Sequence, residues 1–278
     1  VNRRGNPGAS PGGATTPSAA KGGAVSAKGV AEAIDPAHEE RAVLDILAQP
    51  DDSTCGPTCL HALYRAYGDP IELERVIAEV PPVEGGGTLE VLLACHALRR
   101  GYRAKLYTYN LQVFDPTWFD PGAGDIREKL RARAKVKRAS KLRRAIDAYI
   151  EFLDLGGQLE FRELSRDLIR NQLRRGRLLL VGLCATYLYG CARELSDGAG
   201  YDDIGGDPMG HFVVLYHYDH ETREVWVADP YGENPAFQQH HYSVGLDRLI
   251  GAIMLGVLTY DGNLLLVEPS TRGAKGAE

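Results

Sequence analysis

The chain has too little of several things for whole classes of function. It has only five cysteines, at positions 55, 59, 95, 184 and 191. An odd, scattered set with no CxxC pair builds neither a disulfide framework nor a zinc knuckle, so the thiols read as reduced and the chain as cytoplasmic. Charge of either sign is not in large excess. A net value of −5 gives no global field that would gather nucleic acid or an anionic membrane. Long apolar runs are missing too: the longest, Leu178 to Gly190, is shorter than the roughly 20 residues a membrane-spanning helix needs, and the opening residues do not resemble a signal peptide. No metal, cofactor, nucleic acid or membrane is expected as a partner.

Residues 1–35 contain no aromatic side chain and are dominated by Gly, Ala, Pro and Ser. Such a composition cannot bury enough apolar surface to offset its ordering entropy, so the segment reads as a disordered tail, with 270–278 as a second one. Periodicity begins near Asp35, where HEERAVLDIL suggests a short helix. Leu60, Leu63, Tyr64 and Tyr67 then mark one stripe of a helix ended by Gly68, and Leu73, Val76, Ile77 and Val80 mark a second, closed by Pro81 and Pro82. A third follows a Thr88 cap, and YRAKLYTYN alternates like a strand. Residues 111–160 are less regular and hold a long basic helix. Another helix is expected from about Phe161 to Arg174. From Arg177 onward LLLVGLCATYLYG, HFVVLYHY, EVWVAD and NLLLVEP read as strands, with one helix near Leu246 to Leu255. Helices first and a mostly antiparallel sheet afterwards define an α+β arrangement in a single main domain, 36–269.

Chemistry concentrates around QPDDSTCGPTC. Cys55 stands at the apparent start of a helix, where the partial positive charge of the N-terminus, joined by an imidazolium, favours a thiolate. Gly56 permits close backbone approach and Pro57 suits the first helical turn. A base is offered by GHFVVLYHYDHETREVWVADP: as a hairpin centred on His220, it sets His211 opposite Asp229 on one face, close enough for a carboxylate to orient an imidazole. A slip of one residue would send Asp229 to the other face. Gln49, six residues before the cysteine, can supply a side-chain amide which, with the Cys55 backbone N–H, would stabilise an oxyanion.

Taken together, Gln49…Cys55-Gly56, Gly210-His211-Phe212-Val213-Val214 and Ala228-Asp229-Pro230 resemble the papain-like cysteine peptidases that process double-glycine (bacteriocin-type) leader peptides, across about residues 40–269. Since the sequence holds no transporter segment and its 111–160 stretch is longer than a minimal core, the resemblance is to stand-alone relatives, with 111–160 as an insertion. It implies a papain-like fold, Cys55 as nucleophile, His211 as general base and acid, Asp229 as its orienter and Gln49 in the oxyanion hole. The expected activity is hydrolysis of a peptide or isopeptide bond through a thioester. Acyl transfer to an amine shares the first half-reaction, and a non-catalytic peptide-binding module is the alternative from another class.

Ten of the eighteen residues from Arg127 to Arg144 are Lys or Arg. Such a run reads first as a solvated helix face, and functionally as a landing strip for an acidic peptide. Cys59, Cys95, Cys184 and Cys191 read as packing residues. His217 and the His240-His241 pair lack companions at ligand spacing.

Overall fold

The computed structural model of the chain describes residues 43–83, 86–195, 200–259 and 262–270. The expected tail at 1–35, and all but the first residue of that at 270–278, lie outside the described residues. Val43 to Gln49 is not the helix suggested for HEERAVLDIL, whose earlier residues also lie outside. Leu44 and Ile46 are buried while their neighbours are exposed, the two-residue period of an extended chain rather than a helical one.

Three helices follow: α1 (Cys55–Ala66), α2 (Leu73–Glu79) and α3 (Glu90–Arg99). They precede or flank a seven-stranded sheet of β1 (Arg103–Thr108), β2 (Gln158–Glu160), β3 (Leu179–Cys184), β4 (Gly210–Tyr218), β5 (Glu224–Ala228), β6 (His241–Gly245) and β7 (Asn263–Glu268). The spatial order is β2-β1-β7-β3-β4-β5-β6, antiparallel throughout except for the β1–β2 pair. Helices first and a mostly antiparallel sheet afterwards is the α+β class expected. The short strands β2 and β6 were not.

Both faces of the sheet are covered, which is why its central strands read as near-continuous apolar runs. Phe212, Val214 and Ala228 pack with residues of α1, α3 and the later α5 (Ser140–Asp154). Val213, Leu215, Val225 and Val227 pack on the other side with α6 (Arg166–Leu173) and α8 (Leu246–Leu255). Leu60 and Leu63 of α1 are fully buried, a stabilisation of about 1.5–3 kcal/mol each.

Four expectations are corrected here. Thr88 does not cap α3: its hydroxyl donates to the Pro81 carbonyl at 3.3 Å, and its methyl packs toward Gly56. The helix before Arg174 starts only at Arg166, where Ser165 Oγ accepts from the Leu168 N–H at 3.2 Å. LLLVGLCATYLYG is a strand only through Cys184 and then turns into α7 (Ala185–Tyr189), ended by Gly190 at φ 66°. The basic stretch 127–144 is two helices, α4 (Ile126–Val136) and α5, parted by an extended Lys137 to Ala139. In one straight helix the buried Leu130 and Leu142, twelve residues apart, would point about 120° away from each other. The break lets both face the core, where Ile146, Tyr149 and Phe152 also bury.

Candidate active site

Cys55 is the first residue of α1, buried, with no side chain capping the helix end before it. Gly56 behind it is a spatial necessity. A Cβ there would lie 2.8 Å from Thr88 Cγ2 and 3.1 Å from both Leu93 Cδ1 and Phe212 Cδ2. The helix end can therefore close on α3 and β4 only with glycine at this position.

His211 stands at the start of β4, and Asp229 directly follows β5. The hairpin between them is not centred as the sequence suggested. Its pairs are Tyr218 with Val225 and His217 with Trp226, then, past a bulge between Leu215 and His217, Leu215 with Val227 and Val214 with Ala228. Continuing that register puts Asp229 across from Val213, two residues from His211. The extra residue of the bulge restores the parity that the turn alone would have broken. The two side chains thus share a face as diagonal rather than direct neighbours, and they meet: His211 Nε2–H donates to Asp229 Oδ1 at 2.8 Å.

That carboxylate is fully enclosed and fully bonded. Its Oδ1 also accepts from the Tyr231 backbone N–H at 2.8 Å, and its Oδ2 accepts from the Tyr189 hydroxyl at 2.8 Å and the Tyr242 hydroxyl at 2.6 Å. Burial favours the neutral acid, but the His211 charge and these donors outweigh it and hold Asp229 below the ordinary carboxylate value. For His211, burial likewise favours the uncharged ring. The Asp229 charge and hydrogen bond, together with a hydrogen bond and charge interaction with Cys55, outweigh it and raise the imidazole to about 10. With Nε2 committed to Asp229, Nδ1 is the nitrogen left for Cys55.

Gln49 is tied to the same place from the other side. Its backbone N–H donates to the Pro230 carbonyl at 3.0 Å, fastening the segment before α1 to the residue after Asp229. Its Nε2 donates to the Asp51 carbonyl at 3.0 Å, and Asp51 in turn accepts from Ser53 N and Oγ. Gln49, Cys55 and His211 line one cleft of about 480 Å³, with Thr88, Met209 and Tyr231. All four residues expected from the sequence therefore lie at or directly behind a single cleft.

Burial acts on three of the other thiols. Cys59 lies in the core with its thiol donating to the Phe212 carbonyl at 3.2 Å, and burial pushes it well above the ordinary thiol value. Burial also raises Cys191, and Cys95 to about 12. Among the described residues no three His, Cys, Asp or Glu side chains gather at metal-ligand spacing, and no helix is long and apolar enough to cross a membrane. Of the basic run, Lys141 lines the cleft, its ammonium donating to the Thr259 carbonyl at 3.4 Å. Arg127 pairs with Asp125 and Asp154, Arg133 donates to the Gln112 carbonyl, and Lys129 lies 6.0 Å over the Trp118 ring.

Tyr189 and Tyr242 are the residues sequence reasoning missed. The alternation of buried Tyr242 and Val244 in HHYSVG is the strand signal that would have pointed to one, and Gly190 as a helix stop to the other.

Solved peptidase domains match this chain along most of its length. The peptidase domain of Streptococcus ComA, a bifunctional ABC transporter of a quorum-sensing pathway, covers 82% of the chain and all of its own length, with 12% identity and a TM-score of 0.41. A C39-like peptidase from Bacillus anthracis covers 82% of this chain and 95% of its own, with 12% identity and a TM-score of 0.44. A double-glycine motif protease from an AMS/PCAT transporter, solved with its leader peptide, covers 83% and 94%, with 13% identity and a TM-score of 0.39. No family model and no curated protein matches the sequence.

Proposed function

We propose that the protein is a papain-like thiol hydrolase that cleaves a peptide or isopeptide bond through a thioester on Cys55. The observation that carries this reading is the His211–Asp229 bond: it commits Nε2–H to the carboxylate and leaves Nδ1 as the ring nitrogen that would serve Cys55, the first residue of α1. An imidazole oriented in this way beside a nucleophile is the working part of cysteine-dependent acyl transfer.

In the first half-reaction the Cys55 thiolate attacks the substrate carbonyl carbon, and the carbonyl π electrons move onto oxygen. The Cys55 backbone N–H and the second Nε2 hydrogen of Gln49 stabilise that oxyanion. As the intermediate collapses, the C–N bond breaks and His211 Nδ1–H protonates the leaving amine. Water then attacks the thioester, His211 takes its proton, and the thiolate leaves as the acid product forms. The phenols of Tyr189 and Tyr242 hold Asp229 ionised through the cycle. Both are pushed far above the ordinary phenol value by burial and by the Asp229 charge, so they remain O–H donors.

An acidic peptide is the substrate that the basic surface of α4 and α5 would draw toward the cleft. The unit proposed to carry the activity is the main domain expected from the sequence, residues 36–269.

Selective alkylation tests the reading. Iodoacetamide at mildly acidic pH, followed by peptide mapping, should label Cys55 well ahead of the other four cysteines, and Cys55→Ala should lose turnover with the fold retained. Labelling led by Cys191, which is only half-buried, would mean that exposure alone controls reactivity and that no activated thiol exists.

A further inference from the structure

At the end of β4 remote from His211 lies a second cavity of about 550 Å³, bounded by Tyr218, the β4–β5 turn, α6 and the start of α8. Roughly 20 Å of strand separates it from the cleft. Five arginines line it, Arg166, Arg170, Arg174, Arg223 and Arg248, against one acidic residue, Asp247. This is a dense local positive charge in a chain whose net charge is −5.

The arrangement is ordered. Arg166, Arg170 and Arg174 recur every fourth residue and so share one side of α6. Arg223 sits in the turn at φ 60°, a conformation rarely taken by a residue with a long side chain, and Arg248 belongs to the first turn of α8. The N-terminus of α8 opens into the same space, with Gly245 as its cap residue and no side chain bonded to the free N–H groups.

Internal ion pairs do not use up this charge. Arg166 is held by Asp247 through two bonds of 2.6 and 2.5 Å. Arg170 gives one terminal nitrogen to Asp167 at 2.6 Å, while its buried Nε has no partner among the described residues. Arg248 donates to the Leu188 carbonyl at 2.8 Å. Arg174 and Arg223 make no side-chain bond among the described residues. Like charges gathered in a concavity repel, and an anion with several oxygens relieves that repulsion.

We propose that this cavity binds a small organic ligand carrying two or more phosphates. Guanidinium forks match phosphate oxygens in pairs, and an open helix N-terminus adds backbone donors. The volume lies within the ~300–1,000 Å³ of small-molecule sites, and the Tyr218 ring on the wall can cover the organic part. A free nucleotide and a phosphorylated lipid headgroup share this chemistry.

Calorimetric titration of the full chain with ATP and with inorganic pyrophosphate, at fixed ionic strength, separates the outcomes. Saturable one-site binding is expected, weakened about tenfold by each of Arg174→Gln and Arg223→Gln and only partly restored by Lys at either position. Among the described residues neither side chain is bonded to anything else, so melting without ligand should be unchanged. Sedimentation with phosphatidylcholine vesicles containing a phosphoinositide forms the second arm. Binding to these vesicles but to neither soluble probe, lost in the double variant, assigns a headgroup. If no probe binds, or if binding survives the double substitution, the proposal is overturned.

Discussion

Two buried histidines in this chain each donate through Nε2 to a carboxylate, and their surroundings drive them in opposite directions. In the sheet half, His211 bonds Asp229 at 2.8 Å and is raised to about 10. In the helical half, His96 of α3 bonds Glu79 at 3.0 Å, yet burial dominates there and its value is lowered. The difference lies in the carboxylate. Asp229 is fully enclosed, so its field reaches the ring with little screening, and two phenols and a backbone N–H hold it ionised. The Glu79 side chain is 43% exposed and shared with Arg75, while Arg99 and Arg100 add positive charge near His96. The second ring nitrogen differs as well: His96 Nδ1 accepts from the Tyr64 hydroxyl at 2.8 Å, which suits a neutral ring, whereas His211 Nδ1 is left for Cys55. A histidine–carboxylate contact therefore does not make an ion pair by itself.

Removing the enclosed carboxylate breaks the comparison most severely. Asp229→Ala would leave a buried imidazolium and two phenols without their acceptor, a loss on the order of 3–5 kcal/mol in denaturant unfolding. Turnover should fall with it, in kcat far more than in KM. A stability change near that of an ordinary surface substitution would show that the pair is not charged.

Asp229→Asn is the sharper variant, because the amide oxygen can still accept from His211 and the phenols can rotate to accept from the amide. It removes charge and keeps bonds. With burial then unopposed, His211 should lose its proton well below its present value of about 10, and the alkaline limb of the activity profile should move down with it. For stability the signs follow from linkage. The raised His211 contributes fully below its ordinary value of 6.5, and this contribution is lost as pH rises through about 10. The depressed Asp229 contributes above its ordinary 3.8, and this is lost as pH falls through the lowered value. In the Asn variant the stability difference between pH 6.5 and 10 should shrink; an unchanged profile would assign the alkaline limb to another group.

The same contrast shows what could be read without coordinates. Cys55 and Gly56 were legible because a helix start and its apolar stripe are local. His211 and Asp229 were legible as strand ends, but the register that sets them on one face was not: it depends on a bulge between Leu215 and His217 that has no sequence signature here. Tyr189 and Tyr242 come from elements hidden inside or beside longer patterns, a helix within an apolar run and a five-residue strand. The division of the basic stretch depended on where Leu130 and Leu142 had to point, a tertiary demand. The arginine cavity joins residues from α6, a turn and α8 that no single window displays together.

Removing one of the phenols is a smaller perturbation. Tyr242→Phe keeps the ring, which stacks on Phe237 at 3.7 Å, and deletes one donor to a buried charge. Tyr189 still donates to the same oxygen. A loss of about 1.5–3 kcal/mol is expected. The His211 value should also slip downward as Asp229 becomes easier to protonate, which NMR titration of the imidazole would follow. If stability falls while His211 stays in place, the phenol serves packing and not the ionised acid.

The smallest effect is expected in the helical half. Glu79→Gln keeps an oxygen that can accept from His96 Nε2–H and removes only a charge that is already solvated and shared with Arg75. The Tyr64 bond on the other ring nitrogen is untouched. His96 should become slightly harder to protonate, since Glu79 is the group that opposes burial there, and melting at neutral pH should stay within error of the parent because the ring is already neutral. Titrating both histidines by NMR in the parent, in Glu79→Gln and in Asp229→Asn places the two substitutions on one scale. A shift at His96 as large as that at His211 would mean that the exposed carboxylate acts as strongly as the enclosed one, and enclosure would then no longer explain why His211 is raised while His96 is lowered.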